Sequence, residues 1–174
     1  VWARIPDAGA AETQRAIDAA HRAFPAWSSL RFQERAQLLL KMGEIWDKRS
    51  QDYVAAAQYE GGGGYGKGMF EAGHVSETFR AAAGLCYGAI GEILPSQHGK
   101  VSTVVRVPMG VVGVISPWNV PGILTSRGFA FAMAVGNTIV LKPSEETPYA
   151  GGLFFAEILE EAGVPNGVFN VITA

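Results

Sequence analysis

Apolar residues in the first half of the chain recur every three or four positions, the spacing that places side chains on one face of an α-helix. The first such segment contains Ile17, Ala20, Phe24 and Trp27, and Pro25 is its expected exit. The same spacing returns three more times, and a run of glycines at 61–64 interrupts it. We therefore predict helices in four segments: 11–27, from about 31, 50–61 and 69–85.

From residue 91 the pattern changes to the alternation that is typical of strands. Residues 92–95 and 101–107 flank a polar turn, and this arrangement predicts a β-hairpin. Continuous apolar runs then alternate with helical patterns, and such an order predicts a parallel sheet with right-handed crossovers. The predicted strands and helices of this part are, in order, 110–115, 121–134, 138–141, 149–162 and 168–172.

The chain is thus predicted to be an α/β protein that contains the first βαβαβ half of a Rossmann-like parallel sheet. We divide it into a helical layer over 1–91, the β-hairpin over 92–107 and the half-sheet over 108–174. Ligands of such sheets bind beyond the carboxyl ends of the strands. The expected ligand edge therefore includes the residues at 116–119 and at 142–145.

Polar residues at this edge suggest two kinds of chemistry. The G-x-G-x-x-G fingerprint of a standard pyrophosphate-binding turn is missing. Glu145, after the second strand, has the position from which a carboxylate binds ribose hydroxyls, and Lys142 is suited to donate to the same ribose. The alternative is that these two residues form a surface ion pair of little energetic weight. Asn119 is either an ordinary turn residue or a hydrogen-bond donor directed into an active site.

Composition limits the partners and the compartment. Lys and Arg number 14 against 16 Asp and Glu, a formal net charge of -2, so we expect neither nucleic acid nor an anionic membrane as a partner. No apolar run approaches the roughly 18 residues of a membrane-spanning helix. With a single cysteine and no leader-like start, we expect a cytoplasmic protein without disulfides.

Few side chains offer metal or thiol chemistry. His21, His74 and His98 are widely separated and lack a carboxylate or cysteine at ligand spacing, so we expect no metal site. Cys86 follows a run of small apolar residues without a neighbouring cation. This context predicts a packed thiol rather than a nucleophile.

Three segments of the sequence resemble the NAD(P)-dependent aldehyde dehydrogenase superfamily, in its order and spacing: ISPWN at 115–119, GNTIVLKPSEETP at 136–148 and EAGVPNGVFN at 161–170. The resemblance covers essentially the whole chain. It implies oxidation of a small-molecule aldehyde with NAD, or with NADP as the alternative, through a cysteine thiolate. It also implies a homo-oligomer, with the hairpin in the oligomerisation arm.

The resemblance further implies residue roles. Asn119 is expected to be a buried amide that donates to the oxyanion formed when the thiolate adds to the aldehyde. Lys142 and Glu145 are expected to bind the adenosine ribose. The cofactor cleft is expected to be lined by Ile115, Ser116, Pro117 and Trp118. One face of the following helix is expected to line a substrate tunnel with Val120, Ile123, Leu124 and Arg127.

Two shorter segments, at 66–71 and 126–130, resemble the subgroup that acts on benzaldehyde- or vanillin-type aldehydes, although Val120 replaces the usual phenylalanine. The family's catalytic cysteine, general-base glutamate and glycine-rich turn lie further along than Ala174. We therefore expect the chain to be an amino-terminal part that is inactive alone. The alternatives are a nucleotide-binding or oligomerisation module without catalysis, and an acylating enzyme that forms thioesters.

Overall fold

A computed structural model describes residues 4–88 and 91–174; residues 1–3 and 89–90, which the predicted helical layer includes, lie outside this description. The layer consists of four helices, which are α1 (Ala10–Ser28), α2 (Phe32–Lys48), α3 (Ser50–Gly61) and α4 (Tyr65–Leu85). Pro25 lies in the last turn of α1, which ends at Ser28, one residue beyond the predicted 27, so the proline marks the exit of the helix as predicted. The Pro25 carbonyl accepts the N–H of Ser29 at 3.2 Å and closes this end.

The helical layer is held by an aromatic cluster around Trp46 of α2. The Trp46 ring stacks on Phe155 at 5.0 Å between centroids and meets Phe154 edge-on at 5.4 Å. Tyr53 of α3 lies 4.8 Å from the same indole. Offset and edge-on aromatic pairs add to the free energy gained by burying the rings, so this cluster fixes α2 and α3 against the rest of the molecule.

The predicted hairpin is present as β1 (Gly91–Leu94) and β2 (Ser102–Val105), an antiparallel pair in which Gly91 faces Val105. The hairpin projects from the layer, and its apolar side chains stay exposed; Ile93, for example, is 80% exposed. An exposed apolar ribbon of this kind is typical of a surface that another chain or domain covers.

A parallel sheet follows, as the apolar runs predicted. It consists of β3 (Val111–Ile115), β4 (Thr138–Lys142) and β5 (Phe169–Val171), in that spatial order. Helix α5 (Pro121–Ala134) connects β3 to β4, and α6 (Phe154–Ala162) leads into β5. This arrangement confirms the α/β class and the Rossmann-like half-sheet.

Two details of the crossovers position the strand ends. Helix α5 lies directly on β3. The approach is so close that a Cβ on Gly128 would come within 2.6 Å of the Val114 side chain. The helix predicted over 149–162 begins instead with a π-helical turn, Tyr149–Leu153, before the regular α6. None of the helices among the described residues is both long and apolar enough to cross a membrane.

Candidate active site

The parallel register brings the predicted ligand segments together. Ile115, the last residue of β3, pairs with Lys142, the last residue of β4. The N–H of Ser116 then donates to the Lys142 carbonyl at 3.0 Å and continues the ladder by one residue. The segments at 116–120 and 143–148, here called the first and second strand-end loops, therefore leave the sheet side by side.

The start of the first loop combines an unpaired hydroxyl with exposed apolar surface. Ser116 is only 4% exposed, and within the described part of the chain its Oγ has no hydrogen-bond partner. Ile115 is 83% exposed, although it belongs to a strand, and Trp118 is exposed as well. A buried polar atom without a partner is costly unless a ligand or another group satisfies it. This edge thus has the character of a binding surface.

Asn119 is exposed rather than buried, and the expectation of a buried amide is wrong for this chain. The physical reason is that Pro117 and Trp118, which were expected to enclose the amide, are themselves exposed. Asn119 nevertheless has a fixed base, because α5 begins two residues later at Pro121. Proline at the first helical position is preorganised for the helix, so the loop has little freedom at this end.

A buried carboxylate holds the start of α5. Glu71 of α4 is fully buried, and its Oε2 accepts the N–H of Gly122 at 3.0 Å and the hydroxyl of Tyr53 at 2.9 Å. The Lys67 ammonium pairs with the other carboxylate oxygen. Burial, followed by the nearby Glu71 carboxylate, raises the pKa of Tyr53, so the phenol stays protonated and remains a donor. Sequence reasoning missed Glu71, whose signal was a glutamate among apolar positions of its helix.

The second strand-end loop keeps its polar groups near the surface. Lys142 Nζ lies 3.3 Å from the Pro143 carbonyl and 3.9 Å from Glu145 Oε2. Glu145 is 72% exposed, and a hydrogen bond from its own backbone amide, followed by the Lys142 charge, holds the pKa of its carboxyl below the usual value. The ion pair is therefore present but long and exposed, which makes it weak. Both side chains can bind a ligand without losing a strong partner.

A second carboxylate from the helical layer supports this loop. Glu60, near the end of α3, accepts the N–H of Tyr149 at 2.9 Å and of Ala150 at 2.7 Å. These amides belong to the π-helical turn, which has no capping side chain of its own. Glu60 therefore caps the amino end of this turn. Burial raises the pKa of Glu60, against the effect of the two amides. No local pattern around Glu60 indicates this contact.

The π-helical turn also joins the two loops. Gly151 packs so closely that a Cβ there would lie 3.2 Å from Pro121 and 3.8 Å from Pro143. Its carbonyl accepts the hydroxyl of Thr125, in α5, at 2.9 Å. The π-helical turn thus packs against the first residue of α5 and against the second loop, and glycine at 151 permits the closer of these two contacts.

The helix face expected to line a substrate tunnel is divided in the structure. Arg127 is exposed, while Val120 and Leu124 are half-buried. Ile123 is only 5% exposed and faces the interior, so it does not line an open surface. A helix that packs on a sheet turns part of any such stripe inward, which explains the difference.

The remaining reactive side chains are placed away from this edge. Cys86 is 7% exposed, its Sγ lies 3.4 Å from the Ala134 carbonyl, and burial raises the pKa of the thiol. Such a thiol is inert at neutral pH. Over residues 4–88 and 91–174, no group of three or more His, Cys, Asp or Glu side chains is arranged to hold a metal ion.

Comparison with known proteins agrees with this geometry. The chain is 40% identical over 162 residues to the benzaldehyde dehydrogenase (NAD+) of Pseudomonas putida. The aligned region covers 92% of this chain and 33% of that protein. It is 41% identical over 165 residues to the vanillin dehydrogenase of an Amycolatopsis species, with 95% and 32% covered. The chain therefore spans about one third of the length of these relatives.

Solved structures show the same fold. The NAD-dependent benzaldehyde dehydrogenase from Corynebacterium glutamicum superposes with a TM-score of 0.96 at 36% identity, covering 100% of this chain and 37% of that one. A family model described as the aldehyde dehydrogenase family matches residues 1–174. Because that match extends over the entire sequence, the chain belongs to the aldehyde dehydrogenase family.

Proposed function

We propose that the full-length protein containing this chain oxidises an aldehyde to a carboxylic acid with NAD+. The observation that carries the proposal is the register that sets Ile115 beside Lys142, since it brings both strand-end loops to one edge. The name of the Pseudomonas putida relative specifies NAD+, and that of a 36% identical succinate-semialdehyde dehydrogenase of Escherichia coli specifies NADP+. In this proposal, residues 1–174 supply cofactor contacts and an oxyanion donor, while the nucleophile comes from elsewhere in the protein.

The residues at the sheet edge fit a dinucleotide. The unpaired Ser116 hydroxyl needs a polar partner, and Ile115 and Trp118 offer apolar surface beside it. Lys142 can donate to ribose oxygens, and the ionised Glu145 can accept from ribose hydroxyls. Bound NAD+ would supply the hydride acceptor at this edge. An ionised carboxylate repels a 2′-phosphate, so we propose NAD+ rather than NADP+ as the preferred cofactor.

The side-chain amide of Asn119 suits the other half of the chemistry. When a cysteine thiolate adds to an aldehyde, the new S–C bond displaces the carbonyl π electrons onto oxygen. A fixed amide N–H directed at that oxygen stabilises the developing charge in the transition state. The Asn119 side chain is exposed and therefore accessible to a substrate oxygen, while its backbone is held by the start of α5 two residues later.

The substrate class is proposed from the relatives and from the α5 face. Two relatives carry the names benzaldehyde dehydrogenase and vanillin dehydrogenase. Half-buried Val120 and Leu124 offer apolar contact to an aromatic ring. Exposed Arg127 would favour a polar or anionic ring substituent through charge-assisted hydrogen bonds.

The hairpin supports the proposal of a homo-oligomer. Large apolar side chains on both of its strands and beside them are exposed, including Ile93, Val101, Val105 and Val107. Contiguous apolar surface of this kind is unfavourable in water and favours burial against another copy. The hairpin at 92–107 would then act as an arm, separate from the helical layer and the sheet.

The test is the stoichiometry of the full-length protein with benzaldehyde and NAD+. The proposal expects one NADH and one benzoate for each aldehyde consumed. Formation of a thioester, only in the presence of an added thiol, would support the acylating alternative. No NADH with a panel of aromatic and aliphatic aldehydes would contradict oxidation altogether.

A further inference from the structure

The start of α5 is held by a carboxylate that the proposed chemistry does not use. Glu71 lies on α4, 51 residues before Gly122 in the sequence, and accepts the Gly122 N–H at 3.0 Å. Gly122 is the second residue of α5 and follows Asn119 by three positions. Any displacement of this amide therefore moves the base of the first strand-end loop.

Glu71 has the partners that a buried charge requires. Its carboxylate is fully buried, yet it accepts from Gly122 and Tyr53 and pairs with Lys67. A position that served only packing would be filled better by an apolar residue, because the free-energy cost of taking a carboxylate out of water is only partly offset by its partners. The amino end of a helix also carries a partial positive charge that attracts a carboxylate. The contact thus favours one location of the α5 start.

The groups around the contact between Glu71 and Gly122 are closely packed. A Cβ on Gly122 would collide with the Tyr53 hydroxyl and would lie 3.3 Å from the Val75 side chain. The Tyr53 ring is itself fixed between Trp46 at 4.8 Å and Phe154 at 5.8 Å. The aromatic cluster of the helical layer therefore fixes Tyr53 and Glu71, and through them the first turn of α5.

We infer that Glu71 is a positioning residue for the Asn119 amide. It fixes the first turn of α5 and thereby the direction in which the first strand-end loop presents that amide. The inference rests on the proposed function, in which Asn119 donates to the oxyanion. Lys67 and Tyr53 act through Glu71, because each bonds its carboxylate rather than the loop.

The test compares Glu71→Gln with Glu71→Leu in the full-length protein. Glutamine keeps an oxygen for Gly122 and Tyr53, and solvent-accessible Lys67 can turn outward, so kcat should stay within about three-fold of wild type. Leucine leaves the Gly122 amide without an acceptor, and kcat should fall roughly 10- to 100-fold, as a displacement of about 1 Å can cause. The KM for NAD+ should change by no more than about two-fold in both, since the N–H of Ser116 stays bonded to the Lys142 carbonyl and holds the cofactor-facing start of the first loop, and the second loop is untouched.

A double-mutant cycle with Asn119→Ala separates positioning from general damage. If Glu71 acts through Asn119, Glu71→Leu should lower kcat by less than about three-fold once the amide is gone. Full additivity of the two losses, with Asn119→Ala itself strongly impaired, would overturn the inference and leave the proposed function standing. Unchanged turnover in Asn119→Ala would instead refute the proposed role of Asn119, on which the inference rests.

Two further readouts control for misfolding. Exchange of the Gly122 amide should accelerate at least ten-fold in Glu71→Leu and remain near wild type in Glu71→Gln, on the order expected when one amide loses its acceptor. Asp47→Leu is the matched control, because Asp47 of α2 accepts from Ser76 and Arg80, which both belong to α4 and not to α5. It should lower the melting temperature while kcat is retained. A loss of kcat in Asp47→Leu equal to that of Glu71→Leu would overturn the inference.

Discussion

The two strand-end loops are supported by the same kind of hydrogen bond, but the supporting residue is more deeply buried at the first loop than at the second. In each, a carboxylate from the helical layer accepts backbone N–H groups at the start of the next helix, one at the first loop and two at the second. Glu71, at the first loop, is fully buried and has Gly122, Tyr53 and Lys67 as partners. Glu60, at the second, is half-buried and accepts two backbone amides, and burial raises its pKa.

The difference agrees with what each loop is proposed to do. An oxyanion donor is effective only when its direction is fixed before charge develops, so a rigid support suits the first loop. A cofactor must bind and leave in every turnover. The exposed, weakly paired Lys142 and Glu145 of the second loop suit reversible binding. The stronger support thus lies at the loop for which the proposed function requires a fixed direction.

The largest effect should come from the first loop. In the full-length protein, Asn119→Ala should lower kcat by roughly 10²- to 10³-fold, the loss that follows removal of one oxyanion donor. The KM for NAD+ should hardly change, because the second loop keeps its residues. Steady-state kinetics with benzaldehyde give both values. Turnover near that of wild type would show that Asn119 is an ordinary turn residue and that the two loops do not differ in role.

A smaller effect should come from the second loop. Glu145→Gln removes the negative charge that opposes a 2′-phosphate, and the ratio of kcat/KM for NADP+ over NAD+ should rise about ten-fold. Glu146→Gln is the matched control, since Glu146 is an exposed neighbour outside the pair with Lys142. A clear preference of the wild type for NADP+ would contradict the assignment of Glu145.

The smallest effect concerns stability at the second loop. Because the folded pKa of Glu60 is raised, its contribution to the free energy of unfolding is full below its ordinary pKa of 4.5 and is lost as the pH rises through the raised value. The free energy of unfolding of Glu60→Gln minus that of wild type should therefore increase as the pH rises from 4.5 through the raised pKa, and should stay constant above it. Urea unfolding at several pH values measures it. A difference that stays constant or decreases over this pH range would show that burial does not raise the pKa of Glu60.

Local patterns predicted the elements that these loops connect. Helix α5 spans 121–134, as its helical pattern predicted, and the parallel order follows from alternating strands and helices. The supports were not predictable, because Glu71 and Glu60 meet partners 51 and 90 residues away, and no local pattern encodes such contacts. The exposure of Asn119 was missed for a related reason, since burial depends on what packs over a loop rather than on its own residues.

The central claim is that residues 1–174 supply cofactor contacts and the oxyanion donor but no nucleophile. The most direct measurement is NADH formation by this polypeptide alone, with NAD+ and excess benzaldehyde. We predict none, because Cys86 is buried against the Ala134 carbonyl and its thiol pKa is raised. Turnover by the polypeptide that Cys86→Ser abolishes would contradict the account, because it would make Cys86 the nucleophile.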